Sequence, residues 1–290
     1  FKRIDRVPCP TGIKFLDEKH ILNGGLGRGE LGVITAPTGV GKSHFLVNMG
    51  SSAVKMKKNV VHYTFELTET AVGIRYDSNL CNIPSSNVIQ NKEKILETYS
   101  ENDFGRLIIK QYPTGAASIV TLRNHLEKLA MKDFKPSLLV IDYADIMRST
   151  RTYDSLRHEL KLVYEELRNL AMEMNIPIWT ASQANRDSAK AEVVGLENMS
   201  EAYGKAMVAD VVVSLSRKPM EKSTGAGRLF VAKNRAGRDG LMFPIRIDTS
   251  MSKIEVLDDV REMSIVDAIE RDNSGAKDML KSKWKEITGN

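Results

Sequence analysis

Cysteine is scarce in this chain, with only Cys9 and Cys81 among 290 residues. The two lie far apart, outside any Cys-x-x-Cys motif and without a histidine pair nearby, so the sequence predicts neither a disulfide framework nor a zinc site. Long apolar runs are also missing, since no window approaches about 18 consecutive apolar residues. The opening segment FKRIDRVPCP lacks the features of a secretory signal. These absences predict a soluble intracellular protein without a membrane partner.

Neither sign of charge is in large excess, because 42 basic residues stand against 37 acidic ones and leave a net charge of +5. A mildly basic chain is compatible with a polyanionic partner without requiring one. With 42% hydrophobic residues, the chain is long enough to bury a full core. We expect one large domain over residues 1–258 and a charged, helical tail over residues 259–290.

Short apolar segments rich in β-branched residues alternate with longer segments of helical periodicity, a pattern typical of buried strands and helices. Strands are predicted at residues 31–35, 59–65, 106–111, 137–142, 176–182 and 209–215, and helices at 42–55, 117–131 and 155–174. From about Arg228 the pattern changes to antiparallel strands joined by a glycine-bearing turn. The sequence therefore predicts an α/β fold, with a mostly parallel twisted sheet flanked by helices and antiparallel strands at one edge.

The first predicted strand runs into APTGVGKS, residues 36–43, which matches the phosphate-binding P-loop pattern except that Ala36 replaces the first glycine. Glycines let backbone N–H groups curl around phosphates, and the following helix adds a favourable dipole. Lys42 is predicted to contact the β- and γ-phosphates of ATP, and the Ser43 hydroxyl to bind Mg²⁺. A chance match is disfavoured by the strand before and the helix after. The predicted nucleotide-binding residues of this segment are Thr38, Gly39, Val40, Gly41, Lys42, Ser43 and His44.

Polar side chains follow three other predicted strands. Asp142 ends an apolar run and is the predicted metal-supporting aspartate, whereas Asp145 fits a residue that caps the next turn. Glu66 is the predicted catalytic base, with Glu69 as its competitor. Gln183 is predicted to sense the γ-phosphate or the attacking water. Each residue alone is commonly structural, but their shared place at strand ends beside a P-loop favours an ATPase site.

Four motifs occur in an order that resembles the DnaB-type replicative helicases. They are Phe65-Glu66, the apolar run into Asp142-Tyr143, ASQANR at residues 181–186 and AKNRAG at residues 232–237. The resemblance covers about residues 10–256, and the segment at residues 106–115 is especially similar to replicative helicases of tailed phages. It implies a RecA-like ATPase domain that assembles into a hexameric ring around single-stranded DNA. It also implies movement from 5′ to 3′, driven by ATP hydrolysis between neighbouring subunits.

The resemblance assigns further roles to three cations. Lys233 and Arg235 match the family's pair that reaches into the adjacent subunit's site as a trans cation and an arginine finger. Such a pair neutralises transition-state charge only when a neighbour is docked. The residues alone would indicate a solvated basic patch. Arg75 matches a family arginine near the nucleotide, with a surface salt bridge as the alternative.

The DNA contact is predicted from the family's central loop, which corresponds to residues 198–205. The usual arginine before the glutamate is Ser200 here, a departure from the family pattern. The backbone at Ser200 and Glu201, together with Arg186 or Lys205, is therefore the predicted contact to the phosphate chain. A few such contacts per subunit are enough, because a ring sums them.

Relatives carry an additional N-terminal helical domain, whereas this chain begins with Phe1 almost directly at the ATPase core. We expect that domain to be missing from this chain. The resemblance further implies a primase and a helicase loader as partners. It implies the cytoplasm of a bacterium or of a phage-infected cell as the location.

Three other functions are compatible with the same core. A RecA-type recombinase or a clock-type regulatory ATPase would form filaments or signalling rings, and Lys233-x-Arg235 followed by a glycine turn favours the helicase instead. A P-loop kinase would need an arginine-bearing lid and an acceptor pocket. An ATP-gated loader or scaffold would need no catalytic base, so Glu66 disfavours it.

Overall fold

The computed structural model describes residues 6–185, 194–196 and 203–257. The strands in these ranges are β1 (Pro8–Cys9), β2 (Leu26–Gly27), β3 (Leu31–Ala36), β4 (Val60–Thr64), β5 (Leu107–Gln111), β6 (Leu138–Asp142), β7 (Ile178–Gln183), β8 (Val211–Ser216), β9 (Ala226–Asn234), β10 (Met242–Asp248) and β11 (Lys253–Val256). Within this part of the chain, nine strands form one sheet in the order β11-β10-β9-β8-β3-β7-β6-β4-β5. Strands β1 and β2 form a separate antiparallel pair.

Helices cover both faces of the parallel part of the sheet. They are α1 (Lys42–Lys55), α2 (Glu69–Cys81), α3 (Lys92–Glu101), α4 (Ile119–Ala130), α5 (Leu156–Met174) and α6 (Tyr203–Val208). Two clusters of buried apolar residues separate them: α1 and α2 contribute to one cluster, and α4 and α5 to the other. Neighbouring strand residues alternate between the faces, since Ile34 belongs to the first cluster and Val33 to the second. Strands buried on both faces explain the near-continuous apolar runs in the sequence.

All pairings among β8, β3, β7, β6, β4 and β5 are parallel. Beyond β8 the sheet continues with β9, β10 and β11, each antiparallel to its neighbour. The glycine-bearing turn predicted between β9 and β10 is present, and its segment includes Gly240 with a φ of 73°. The predicted fold class is therefore confirmed.

The structure also contains elements that the sequence pattern does not identify. Helix α2 begins after Thr68, whose side chain accepts a hydrogen bond from the backbone N–H of Ala71 at 3.1 Å. Helix α3 buries only Ile95, so it contributes little to the core. The predicted tail at 259–290 lies outside the described residues, and in the described part no helix is long and apolar enough to cross a membrane.

Candidate functional site

The loop between β3 and α1 has the backbone shape of a phosphate cradle. Gly39 and Gly41 have φ angles of 73° and 125°, which residues with a Cβ rarely adopt. The Lys42 ammonium donates to the carbonyl oxygens of Ala36 at 2.9 Å and Pro37 at 3.3 Å, so it lies against the loop. Burial lowers the pKa of Lys42, while nearby carboxylates, Asp142 first, raise it. This arrangement leaves a cation and the start of α1 facing the loop.

A pocket of about 240 Å³ opens at this loop and brings most of the predicted site residues together. From the loop and α1 its wall contains Thr38, Gly39, Gly41, Lys42, Ser43 and His44. From other elements it contains Glu66, Arg75, Asp142 and Gln183. Val40 is the exception, because its side chain is 4% exposed and belongs to the core. Its predicted contact with a nucleotide is therefore limited to the backbone.

Asp142 ends strand β6 and is 2% exposed. Burial raises its pKa to about 6, against the opposing effect of a hydrogen bond with Ser43. A carboxylate and a hydroxyl in contact beside a phosphate cradle form the oxygen donor set that Mg²⁺ prefers. The pair Ser43 and Asp142 therefore fits the predicted metal site.

Glu66 and Glu69 lie in different surroundings. Glu66 follows the end of β4, is exposed and lines the pocket. The Glu69 carboxylate instead accepts hydrogen bonds from the backbone N–H of Gln111 at 3.0 Å and from Lys110 at 3.2 Å. These contacts tie Glu69 to strand β5, so Glu66 is the one of the two carboxylates that lines the pocket.

The other polar groups of the pocket differ in how they are held. The Nη1 atom of Arg75 is buried without a hydrogen-bond partner among the described residues, so this side chain is not the surface salt bridge of the alternative interpretation. Asp142 and Glu66 both raise the pKa of Arg75 against the larger effect of burial. His44 contacts the Ser252 hydroxyl at 2.9 Å, and burial lowers its pKa to about 4. Its imidazole is therefore neutral near pH 7.

Gln183, at the end of β7, reaches the P-loop directly. Its side-chain amide donates to the Thr38 hydroxyl at 2.8 Å, and its backbone N–H donates to Asp145 at 3.0 Å. The expectation that Asp145 caps the next turn is wrong, because its carboxylate also accepts from Tyr164 at 2.7 Å and Ser182 at 3.1 Å. Asp145 therefore supports the end of β7.

The position of Lys205 contradicts one of the predicted DNA contacts. It is 1% exposed, and its ammonium forms an ion pair with Asp145 at 2.8 Å. A charge held in this way is not presented to a polyanion on the surface, so Lys205 is not placed to contact DNA in this structure. The other three residues of that prediction, Arg186, Ser200 and Glu201, lie outside the described residues.

Lys233 and Arg235 do not line the pocket of their own chain, whose described wall is given above. Lys233 donates to the carbonyl oxygens of Ala206 at 2.7 Å and Met207 at 2.9 Å near the end of α6. Arg235 donates to Met207 at 2.8 Å and forms an ion pair with Asp210 at 3.2 Å. Burial and then Arg235 lower the pKa of Lys233 to about 8.

The pocket also contains residues that the sequence reasoning does not select. Tyr143 follows Asp142 directly and could have been found from that position, since it leads out of the same strand. Thr249 comes from the turn between β10 and β11, and no local pattern connects it to the P-loop. Only the packing of the antiparallel edge over α1 brings it there.

A second, larger cavity of about 680 Å³ shares no lining residue with the nucleotide pocket. Lys128, Arg148 and His125 line it together with side chains of Ser118, Thr121, Ser149, Thr150 and Thr152. No carboxylate is among its described lining residues. Lys128 and Arg148 give the described wall of this cavity a positive charge, which favours an anionic ligand.

The fold and the first pocket define a P-loop NTPase of the RecA-like class. A P-loop with its lysine and serine, an aspartate at a neighbouring strand end and a glutamate beside it form the site of that class. Residues 9–255 match the DnaB-like helicase C terminal domain family, and the chain belongs to this family. The predicted family is therefore confirmed.

Two relatives illustrate the match. The chain is 30% identical over 217 residues to the DnaB-like replicative helicase of Enterobacteria phage T4, covering 71% of this chain and 45% of that protein. It is 26% identical over 241 residues to the replicative DNA helicase DnaB of Leifsonia xyli subsp. xyli, covering 79% and 51%. The chain thus spans about half the length of the curated relatives it matches.

Solved structures support the fold. One solved ATPase domain superimposes with a TM-score of 0.76 at 17% identity, covering 87% of this chain and 92% of that one. A DnaB-like replicative helicase superimposes with a TM-score of 0.73 at 16% identity, covering 87% and 62%. The RadB recombinase gives 0.54 at 20% identity, covering 86% and 100%. At these identities the likeness concerns the fold alone.

Proposed function

We propose that this chain is the ATP-hydrolysing motor of a replicative DNA helicase that works as a homo-oligomeric ring, a hexamer by family resemblance. The observation that carries the proposal is the single pocket shared by Lys42, Ser43, Asp142, Glu66 and Gln183. These groups are what phosphoryl transfer to water requires: an anion cradle, metal ligands, a base and a group that senses the phosphate.

The P-loop would bind the phosphates of ATP through backbone N–H groups and Lys42, whose ammonium already lies against the loop. Ser43 and Asp142 would hold Mg²⁺, which when bound neutralises charge on the phosphate oxygens. Asp142 is buried at a strand end, so its oxygens are fixed before any ligand arrives. A site fixed in advance needs little reorganisation during the reaction.

Glu66 is proposed to orient the attacking water and accept its proton. Its carboxylate is exposed at the pocket wall, where water can reach it. Gln183 is proposed to exchange its contact with Thr38 for the γ-phosphate when ATP is bound. Its backbone N–H stays bonded to Asp145 during this exchange, so a movement of Gln183 is passed on to Asp145.

Lys233 and Arg235 are proposed to complete the site of a neighbouring subunit. Both lie away from their own pocket, next to α6, and Arg235 keeps 47% of its side chain exposed. An exposed guanidinium can leave its contacts and stabilise the transition state on a docked neighbour, as arginine fingers do. Hydrolysis would then depend on assembly, which ties ATP turnover to the ring.

Single-stranded DNA is the proposed track, and translocation from 5′ to 3′ with unwinding of duplex is the proposed outcome. The relatives named above are replicative helicases, and the basic cavity at Lys128 and Arg148 is a described surface suited to a phosphate chain. One solved relative is described with its interactions with primase, which supports primase as a partner. A helicase loader and a cytoplasmic location complete the proposal.

The first test is steady-state ATP hydrolysis as a function of protein concentration, with and without single-stranded DNA. We expect hydrolysis that rises more steeply than the protein concentration and that DNA stimulates, because the site is completed only between subunits. Turnover proportional to protein concentration and indifferent to DNA would overturn the ring motor and favour a kinase or a regulatory ATPase. The matched control is Lys42→Ala, which is expected to lose nucleotide binding.

A mixing experiment tests the trans cations. The site subunit carries Arg235→Ala and keeps Glu66, whereas the finger subunit carries Glu66→Gln and keeps Lys233 and Arg235. Each alone is expected to be inactive, but a mixture contains interfaces where an intact Glu66 meets an intact Arg235. Hydrolysis should therefore return on mixing. A mixture as inactive as its components would contradict the trans assignment.

A further inference from the structure

The Asp145 carboxylate accepts hydrogen bonds from four donors, which belong to three different elements. Tyr164 of α5 donates at 2.7 Å, and Ser182 and the backbone N–H of Gln183 in β7 donate at 3.1 and 3.0 Å. Lys205 of α6 donates at 2.8 Å, and its ammonium lies 5.6 Å from the centre of the Tyr164 ring. Asp145 thus joins β7 to α6 through a partly buried, charge-assisted contact.

Carbonyl oxygens near the C-terminal end of α6 bind Lys233 and Arg235, the two cations proposed to act in the neighbouring subunit's site. Lys233 donates to three carbonyl oxygens there, those of Ala206, Met207 and Ala209. Arg235 donates to Met207 and pairs with Asp210, directly after the helix. Cations are attracted to the carbonyl oxygens at a helix C-terminus. Helix α6 is only six residues long, so Lys205 and the carbonyl oxygens that hold Lys233 lie close together along it.

A series of contacts therefore connects the P-loop of a subunit to Lys233 and Arg235 of the same subunit. Thr38 contacts the Gln183 side chain at 2.8 Å, Gln183 donates to Asp145, and Asp145 pairs with Lys205. Lys205 belongs to α6, whose carbonyl oxygens hold Lys233. The links between elements are hydrogen bonds or ion pairs, and the others run within Gln183 and along α6.

We propose that the ion pair between Asp145 and Lys205 positions α6, and through it Lys233 and Arg235, according to the state of Gln183. Lys205 is then a positioning residue: it touches neither nucleotide pocket, but it sets how the cations are offered to the neighbour. When Gln183 leaves Thr38 for the γ-phosphate, the end of β7 and its anchor Asp145 shift together. The pair transmits this shift to α6, so nucleotide binding in one subunit controls hydrolysis in the next. This regulation rests on the proposed function.

In the test, the finger subunit (Glu66→Gln) also carries Lys205→Met. It is mixed with the site subunit (Arg235→Ala), which carries no further substitution. Every active interface then contains a normal nucleotide site and cations positioned without the ion pair. We expect hydrolysis of the mixture to fall about tenfold, within the range of side chains that carry coupling between sites. Binding of a fluorescent ATP analogue by the finger subunit itself should stay unchanged, because Lys205 does not line its pocket.

The matched control is Lys161→Met on the finger subunit. Lys161 also lies next to α6, against Gly204, but its ion pair with Glu165 is solvent-exposed at 49% and 43% of the two side chains. Exposed pairs of this kind contribute little. The control mixture is expected to keep its hydrolysis within about twofold.

Three outcomes would overturn the inference. The first is a Lys205→Met finger subunit that complements as well as its parent. The second is one that no longer assembles with the site subunit in light scattering, since that indicates a merely structural role. The third is an inactive parent mixture, which overturns the trans assignment itself and this inference with it. If Lys205→Met alone does not fold, Asp145→Asn with Lys205→Met leaves no unpaired buried charge and takes its place, with the same expected loss.

Discussion

At the scale of single residues, burial gives three neighbouring carboxylates different chemistry. Asp142 is buried against Ser43, so its oxygens are held in place beside the P-loop. Glu66 is exposed at the pocket wall, where water can reach its carboxylate. Asp145 forms an ion pair with Lys205 and has a structural role. The residue type is nearly the same in all three, and the surroundings decide the role.

Glu66→Gln is expected to retain nucleotide binding and to lower hydrolysis by about 10² to 10⁴-fold, the usual effect of removing a general base. The amide keeps the size of the side chain but cannot accept the proton of water. Binding of a fluorescent ATP analogue and steady-state turnover measure the two properties. Glu69→Gln is the matched control, since Glu69 is held by Gln111 and Lys110, and its turnover should stay within about twofold.

His62 predicts how stability depends on pH. The side chain is fully buried, its Nδ1 contacts the Tyr76 hydroxyl at 3.0 Å, and burial followed by Arg75 lowers its pKa from 6.5 to about 3. In the unfolded chain His62 therefore binds a proton below pH 6.5, whereas in the folded chain it binds one only below about pH 3. Stability present above pH 6.5 is lost as the pH falls through this window, by about 1.4 kcal/mol per pH unit.

The measurement is the free energy of urea unfolding between pH 7 and pH 4.5 in the wild type and in His62→Gln. The variant should lose about 2 to 3 kcal/mol less over this range, whatever its stability at pH 7. Equal slopes in His62→Gln and the wild type would contradict the buried, neutral imidazole.

At the scale of elements, helices α1 and α2 approach closely because Gly50 leaves room for Tyr76. A Cβ built at Gly50 would lie 2.0 Å from the Tyr76 hydroxyl oxygen, so Gly50→Ala forces the ring to move. Overpacking of this kind destabilises by about 1 to 3 kcal/mol. We expect that loss in the free energy of urea unfolding.

Gly73→Ala in α2 is the comparison that isolates this contact. The nearest atom to a Cβ at Gly73 is 3.9 Å away, which is ordinary contact distance. Alanine has the higher helix propensity, so this variant should be more stable than the wild type by about 0.5 to 1 kcal/mol. Equal destabilisation by both substitutions would contradict the close packing of Gly50 on Tyr76.

Some elements can be predicted from the sequence and others cannot. The sequence predicts helix α1 with its observed ends, because the P-loop defines its start and the apolar spacing continues to Lys55. It predicts the parallel strands within two residues at each end, because strands buried on both faces are continuous apolar runs. It does not predict helices α3 and α6, since α3 buries one residue and α6 is too short to show a period.

At the scale of the whole molecule, the proposed contact between single-stranded DNA and the cavity at Lys128 and Arg148 predicts how binding depends on salt. Lys128→Ala and Arg148→Ala should each weaken binding of single-stranded DNA about equally for different sequences. Each should also reduce the slope of log affinity against log salt by about one, as expected for a lost phosphate contact. Fluorescence anisotropy at several salt concentrations measures both quantities.

Lys94→Ala provides the control, because Lys94 lies on α3 and does not line the cavity. It removes the same charge and should leave the slope unchanged. If all three variants weaken binding alike, the interaction reflects net charge and the cavity is not the DNA contact.

The sequence by itself determined the local parts of this protein. The order of buried strands and helices, the P-loop at residues 36–43 and the acids at Glu66 and Asp142 all follow from patterns of neighbouring residues, because backbone geometry and burial periods are local. The family resemblance follows from the same motifs. These features needed no knowledge of distant contacts.

Only the tertiary structure decided which distant residues meet. It pairs Lys205 with Asp145, 60 residues away in the sequence, so the Lys205 side chain is buried and does not lie where a DNA contact was predicted. It brought Thr249 to the pocket and folded Lys233 against α6. The physical reason is that the partner of a charge depends on which elements pack together, and no sequence period records that choice.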